Sequence, residues 1–330
     1  MPLPSTAAVP LGHLRLHQYL ALEPGPRLLV TAAVHGNETC GTRALARLVQ
    51  ALDEGTLRLR QGQLTLLPVT NPLAYARGER QGDRNLNRQL QPTSTPRQYE
   101  DHVANVLSPL LAAHEVLLDL HSFRAEGSPF VMLGPRDNDG PLEPFAHEAA
   151  ETRLALALGA PRIVEGWLGT YARGLARRGA PAGDIVQAIG TTEAMRRAGG
   201  YGVTLECGQH DDPAAVDVAE AAVRRALALL GMIDPAQALP APVGQPAWLQ
   251  MQDVVDRLHP DDRFERPWRH FDPVRAGELI GRRHDGTPVL APGDGCLVFP
   301  DPSAAVGTDW FYWARPSARS NDGPPAAVCP

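Results

Sequence analysis

Lysine is missing altogether: all 31 basic residues among the 330 of the chain are arginine. That absence excludes a Walker-type phosphate lysine, a Schiff-base or pyridoxal lysine, and attachment of biotin or lipoate. Cysteine is scarce, and Cys40, Cys207, Cys296 and Cys329 are scattered without a Cys-x-x-Cys spacing. A disulfide framework or a thiolate zinc site is therefore not expected, and a reducing, cytoplasmic setting is. No apolar run reaches the length of a membrane span. Residues 1–8 offer no positive stretch ahead of an apolar one, so no signal peptide is expected. Positive charge is not in excess either: the net charge of −6 argues against a nucleic-acid partner, which needs a concentrated basic surface. What is left, 43% hydrophobic and 21% charged residues, is a globular composition, and the length favours one large domain with a smaller one.

Residues 28–34 form an apolar run of strand type that stops abruptly at His35-Gly36-Asn37-Glu38. Ahead of it, 1–10 reads as a loosely docked leader and 11–22 as an opening strand or hairpin arm. Behind it, Leu45, Leu48, Val49 and Leu52 recur at helical spacing over 39–54, with Gly55 as the stop. A second strand is predicted over 63–69. Residues 70–95, rich in Arg, Asn, Gly and Gln and with little periodicity, read as a long loop that is either functional or disordered. Helices follow over 99–113, 142–158, 184–198 and 213–230, alternating with strands over 116–120, 129–133, 162–164 and 201–206. The alternation predicts an α/β fold with a mixed, mainly parallel sheet flanked by helices. Pro, Ala and Gly accumulate between 234 and 246, as at a domain boundary. A large domain over 1–234 and a small β-rich domain over 235–330 are expected, the latter with strands near 278–281, 287–290 and 295–299. Its turns resemble those of biotinyl/lipoyl-type barrel sandwiches. Without a lysine to modify, it is expected to shield or shape a site.

Four stretches carry chemistry. His35 and Glu38 close a buried-type strand at the edge where open α/β sheets place ligands, and imidazole with carboxylate suits zinc. This is the sole His-x-x-Glu in the chain; its bland reading is a helix start with Glu38 near the positive end of the dipole. Asp119 and His121 lie two apart on a strand and so share a face, as a carboxylate that orients a ligating imidazole would. Taken alone, His121 reads as a structural histidine. Glu206 ends the strand Gly202-Val-Thr-Leu-Glu206 and is placed for general base work, or for a plain ion pair with an arginine. Arg80, Asn87 and Arg88 lie in the long loop, where guanidinium and amide groups could clamp a carboxylate or simply face solvent.

Taken together, His35-Gly-Asn-Glu38, Asn71-Pro72, Arg80, Asn87-Arg88, Asp119-Leu-His121 and Glu206-Cys-Gly208 resemble, in order and spacing, the succinylglutamate desuccinylase/aspartoacylase family. That family is a branch of the zinc-carboxypeptidase-like hydrolases, and the resemblance covers roughly 28–230. It implies one zinc ion held by His35, Glu38 and His121, with Glu206 as the base that activates water. It further implies Arg80 at the scissile carbonyl, Asn87 with Arg88 on a substrate carboxylate, and Arg196 in the place of a further substrate arginine. Asn85 departs from the family, where an Asp often precedes Leu-Asn-Arg. The implied activity is hydrolysis of the amide bond of an N-acyl amino acid bearing a carboxylate, with neither nucleic acid nor membrane as partner. Two other readings are a metallocarboxypeptidase acting on peptides and a non-catalytic binding protein on the same scaffold. The sequence leaves a homo-oligomer open.

Overall fold

The computed structural model describes residues 12–179, 185–240 and 244–321; the leader read over 1–10 lies outside them. Strands β1 (His17–Leu20) and β2 (Glu23–Ala32) lead into helix α1 (Cys40–Asp53), β3 (Gln61–Leu67) and the short α2 (Pro72–Arg77). Helix α3 (Tyr99–Ala112), β4 (Val116–Phe123), β5 (Phe130–Met132), α4 (Glu148–Ala157), β6 (Arg162–Glu165) and α5 (Trp167–Arg177) come next. Then come α6 (Thr191–Arg197), β7 (Tyr201–Gln209) and α7 (Ala214–Leu229). The remainder is strand: β8 (Ala247–Asp256), β9 (Arg263–Phe264), β10 (Pro273–Val274), β11 (Leu279–Arg282), β12 (Pro288–Leu290), β13 (Gly295–Val298) and β14 (Asp309–Pro316).

Eleven strands form one sheet in the order β1-β3-β2-β4-β7-β5-β6-β8-β14-β13-β10. The run β3-β2-β4-β7 is parallel throughout, and both faces of it are buried, as a parallel sheet requires. Strand alternation sorts the core: Leu28, Val30 and Ala32 pack with α1 and α7 residues on one face, while Leu29 and Leu117 pack with Tyr99, Val103 and Leu107 of α3 on the other. From β2 the chain goes out to β3 on one side and returns to β4 on the other. The crevice at the carboxyl ends of β2 and β4 is therefore a topological switch point, where such sheets bind ligands. No helix among the described residues is long and apolar enough to cross a membrane.

Several elements differ from the expectation. The long loop holds α2, whose start is capped by Asn71 Oδ1 accepting from Ala74 N at 3.2 Å and whose end is turned by Gly78 at φ 64°; six residues are too few to show a period. Pro141 and Pro144 keep the segment before Glu148 out of the helix read over 142–158. The helix read over 184–198 is a 3₁₀ turn at Val186–Ala188 followed by α6; Asp184 lies outside the described residues. Nor does the composition shift after 234 interrupt the sheet: β8 pairs parallel with β6 and antiparallel with β14. The outer strands and the three-stranded sheet β12-β11-β9 enclose their own core around Trp268, Ile280 and Trp310.

Gly36 shows how tightly the site loop is held. A Cβ there would fall 2.0 Å from the backbone carbon of Ala74 in α2, so the close approach of α2 requires glycine. Gly36→Ala should lower stability by roughly 1–3 kcal/mol through forced backbone shifts, seen as a lower denaturation midpoint; an unchanged midpoint would contradict the packing. His270, 5% exposed among Phe123, Phe130, Phe271 and Phe299, has its pKa lowered to about 3 by burial. Its folded-state pKa lies below the unfolded one of roughly 6.5. The unfolded chain therefore binds the proton first, and stability is lost as pH falls from about 6.5 towards 3. His270→Gln should flatten that acid limb in pH-dependent unfolding.

Candidate active site

Three parallel strands deliver the reactive groups to one edge. Beyond β2, Ala33 takes a left-handed φ of 47°, a costly conformation outside glycine, and the chain then turns tightly, with Glu38 N donating to His35 O at 3.1 Å. His121 stands near the end of β4, and Glu206 is its register partner on β7. His35, Glu38 and His121 are each 2% exposed, and one potential ligand atom from each lies within 4.8 Å of the others. The imidazole planes are inclined at 70° with centroids 5.0 Å apart.

Hydrogen bonds assign the ring tautomers. His121 Nε2 lies 2.8 Å from Asp119 Oδ2, and His35 Nε2 lies 3.1 Å from Asn85 Oδ1. Each outer nitrogen donates to an oxygen, which directs both Nδ1 atoms at Glu38. His121 Nδ1 is 2.9 Å from Glu38 Oε2. His35 Nδ1 is 2.9 Å from Glu38 Oε1 but is not aligned for a hydrogen bond. Glu206 Oε2 is likewise buried and unpartnered. Two inward Nδ1 atoms, a carboxylate between them and the unpartnered His35 Nδ1 and Glu206 Oε2 make a donor set that fits a divalent cation once His121 gives up its Nδ1 proton.

The electrostatics of the protein alone point the same way. Burial works against a charged His121, but Asp119 and Glu38 outweigh it and hold its pKa well above the usual value. His35 goes the other way, to about 4, through burial and then the Arg80 charge. Burial, reinforced by Glu38, pushes Glu206 up to about 8. Asp119 is held below its usual pKa: burial opposes ionisation, and His121 and the hydroxyls of Thr191 and Thr31 overcome it. Thr31 donates to Asp119 Oδ1 at 2.7 Å and Thr191 to Oδ2.

The loop that carries the clamp hangs from Glu100. This fully buried carboxylate accepts from Gly82 N at 2.9 Å, Asp83 N at 3.2 Å, Arg84 N at 3.1 Å and Asn71 Nδ2 at 2.9 Å. Arg80 Nη1 reaches Glu38 Oε1 at 2.9 Å. Asn87 Oδ1 accepts from Thr191 N at 2.9 Å, which ties the loop to the start of α6. Arg88 is half-buried over Trp167 and Tyr171, 4.9 and 4.6 Å from the ring centres. Among the described residues it faces no carboxylate within ion-pair distance, and so can take one from a ligand. Arg196 lines the same cavity, but its donors are engaged: Nε and Nη2 with Glu151 at 3.0 and 2.9 Å, Nη1 with Glu143 at 2.7 Å. Its guanidinium is turned to these acids of the wall, where the resemblance implies a substrate contact.

The cavity encloses about 940 Å³, and Phe299, Asp309 and Tyr312 bring the C-terminal strands into its wall beside His35, Glu206 and Arg88. Sequence reasoning missed Thr31, Thr191 and Glu100, because a hydroxyl or carboxylate that acts by supporting another group leaves no spacing signature.

A model of the succinylglutamate desuccinylase/aspartoacylase catalytic domain matches residues 24–230. The succinylglutamate desuccinylase of Pseudomonas paraeruginosa is 40% identical over 77 residues, and this match spans only 23% of either chain. A succinylglutamate desuccinylase/aspartoacylase structure from Rhodobacter sphaeroides superposes with a TM-score of 0.71 at 20% identity, covering 92% of this chain and 89% of that one. The product-bound ectoine utilization protein EutE of Ruegeria pomeroyi gives 0.68 at 20% identity over 93% and 97% of the two chains. An aspartoacylase family protein of Mesorhizobium loti gives 0.65 at 22% identity over 93% and 90%. The match of the family model over most of the chain, together with the shared fold, places the protein in the succinylglutamate desuccinylase/aspartoacylase family of acyl amino acid hydrolases.

Proposed function

We propose that the chain is a zinc-dependent amidohydrolase that cleaves an N-acyl amino acid bearing a carboxylate. The observation that carries this reading is the buried His35–Glu38–His121 trio, with Glu206 on the adjoining strand tip and Arg88 in the same cavity. Zinc, held by the trio, would supply Lewis acidity and lower the pKa of water to about 7.

The remaining steps belong to the protein. Asp119 keeps the proton of His121 on Nε2 and so keeps Nδ1 available as a ligand atom. Arg88 holds the substrate carboxylate, and the Trp167 and Tyr171 rings keep water off that pair. Glu206 takes a proton from the attacking water and passes it to the departing amine nitrogen. Arg80 donates to the carbonyl oxygen as negative charge builds there. A carboxyl lifted to about 8 is mostly protonated at neutral pH, so Glu206 becomes an effective base only when positive charge beside it lowers its pKa.

Loading and chemistry can therefore be separated. His121 must lose a proton to act as a ligand and Glu206 to act as a base, so zinc titration of the metal-free protein near pH 7 should release about one to two protons per ion. Calorimetry in buffers of different ionisation enthalpy reads this, and release of none would contradict the assignment. Glu206→Gln should still bind zinc, release fewer protons and lose turnover by roughly 10²–10⁴-fold; near-normal turnover would remove Glu206 as the base. Arg88→Ala should raise KM by about 10-fold or more with a smaller change in kcat, the loss expected for a charge-assisted hydrogen bond. An unchanged KM would place the carboxylate elsewhere.

A further inference from the structure

The wall of the cavity is charged, yet little of its positive charge is available to a ligand. Arg178 is bound to Asp256 and Asp309 and Arg196 to Glu151 and Glu143, while Arg80 lies on Glu38 and is assigned to the scissile carbonyl. Arg136 has a partner of its own, and Arg124 is exposed to solvent. Among the described residues Arg88 is thus the one guanidinium of the wall that is not exposed and faces no carboxylate. Glu143, Glu165, Glu193 and Asp309 also line the cavity. A ligand with one carboxylate is matched by Arg88. Each of these acids is itself paired with an arginine, so a second carboxylate would lose its water against a wall whose charges are already balanced, an arrangement that selects against it.

The complementary surface is apolar. Phe123, Met132, His270 and Phe299 line the cavity together, and Phe123 lies only two residues beyond His121, so this patch adjoins the reacting centre. The Phe123 and His270 rings are 4.2 Å apart, and those of His270 and Phe299 are 5.1 Å apart. Phe299 N donates to His270 Nδ1 at 3.4 Å, which leaves the neutral ring with its proton on Nε2. Phe299 and its neighbour in the box, Phe271, hold left-handed backbone at φ 52° and 67°. Bulky residues rarely adopt that conformation, and it persists where the surroundings fix a side chain in place. The cavity volume of about 940 Å³ lies near the top of the range of roughly 300–1,000 Å³ found for small-molecule sites.

We propose that the substrate carries a single carboxylate, held by Arg88, and an apolar, ring-sized group next to the scissile amide, seated on Phe123, His270 and Phe299. This rests on the amidohydrolase reading above and specifies its substrate class: a monoanionic aromatic N-acyl amino acid rather than a dianionic one. The ring can belong to the amino acid or to the acyl group, and the test separates the two.

The zinc-loaded full chain is assayed with N-acetylphenylalanine, N-benzoylglycine, N-acetylaspartate and N-succinylglutamate. One of the two aromatic compounds should exceed both dianions in kcat/KM by about tenfold or more, the discrimination an apolar pocket gives. The better of the two shows on which side of the amide the ring lies. Phe299→Ala should lower the ratio of kcat/KM for that compound over N-acetylglycine; a folded variant with the ratio unchanged overturns the seat. A dianion that matches or outperforms both aromatic compounds overturns the proposal while leaving the amidohydrolase intact. Turnover of none of the four removes the amidohydrolase reading and the proposal with it.

Discussion

Glu38 is the point on which the electrostatics of the molecule turn. A carboxylate 2% exposed lies between the Nδ1 atoms of two buried imidazoles and within 2.9 Å of the Arg80 guanidinium. Isolated charges at such depth are unfavourable by several kcal/mol each, so every neighbouring element is arranged to offset them. Asp119 supports His121, Asn85 supports His35, and Ser122 N donates to Glu38 Oε2 at 3.1 Å. These supports come from β4 and from the long loop and act on groups of the turn after β2 as well as of β4, and so the site exists only when all three are docked.

The sequence makes the trio legible because its members sit at the ends of strongly apolar strands, and strand ends are what hydrophobic runs report best. The run over 28–34 and the adjoining His-x-x-Glu locate β2 and the turn; Val116 to Leu120 locate β4; Gly202 to Glu206 locate β7. That these three strands are neighbours follows from long-range pairing, and no local pattern states it. The resemblance to a family supplied the association, and the registry of His121 with Glu206 supplies its physical basis.

Elements with weak local signatures leave little trace in the sequence. Helix α5 carries Gly169 and Gly174, and Gly174 lets it approach Val254 of β8, 2.7 Å from where a Cβ would sit; glycines that serve packing weaken the helical signal. Strand β8 reads as the start of a separate module because Pro and Ala precede it, whereas its partners β6 and β14 lie about eighty and sixty residues away. Arg196 looks like a ligand-binding arginine in sequence and is surrounded by acids in space. Charge alone does not distinguish a group that meets a ligand from one that neutralises a wall. The expectation that the C-terminal strands shape the site fits their share of the cavity lining, which includes His270, Phe299, Asp309 and Tyr312.

The Glu100 anchor has an evolutionary corollary. Three of its four donors are main-chain amides, at Gly82, Asp83 and Arg84, and a main-chain amide is offered by every residue type except proline. The three bonds themselves therefore do not depend on side-chain type, although Gly82 is fixed by its closeness to Glu100, where a Cβ would fall 2.6 Å from Oε1. New selectivity could arise there by drift in the exposed positions, with the inherited hydrolytic apparatus left undisturbed.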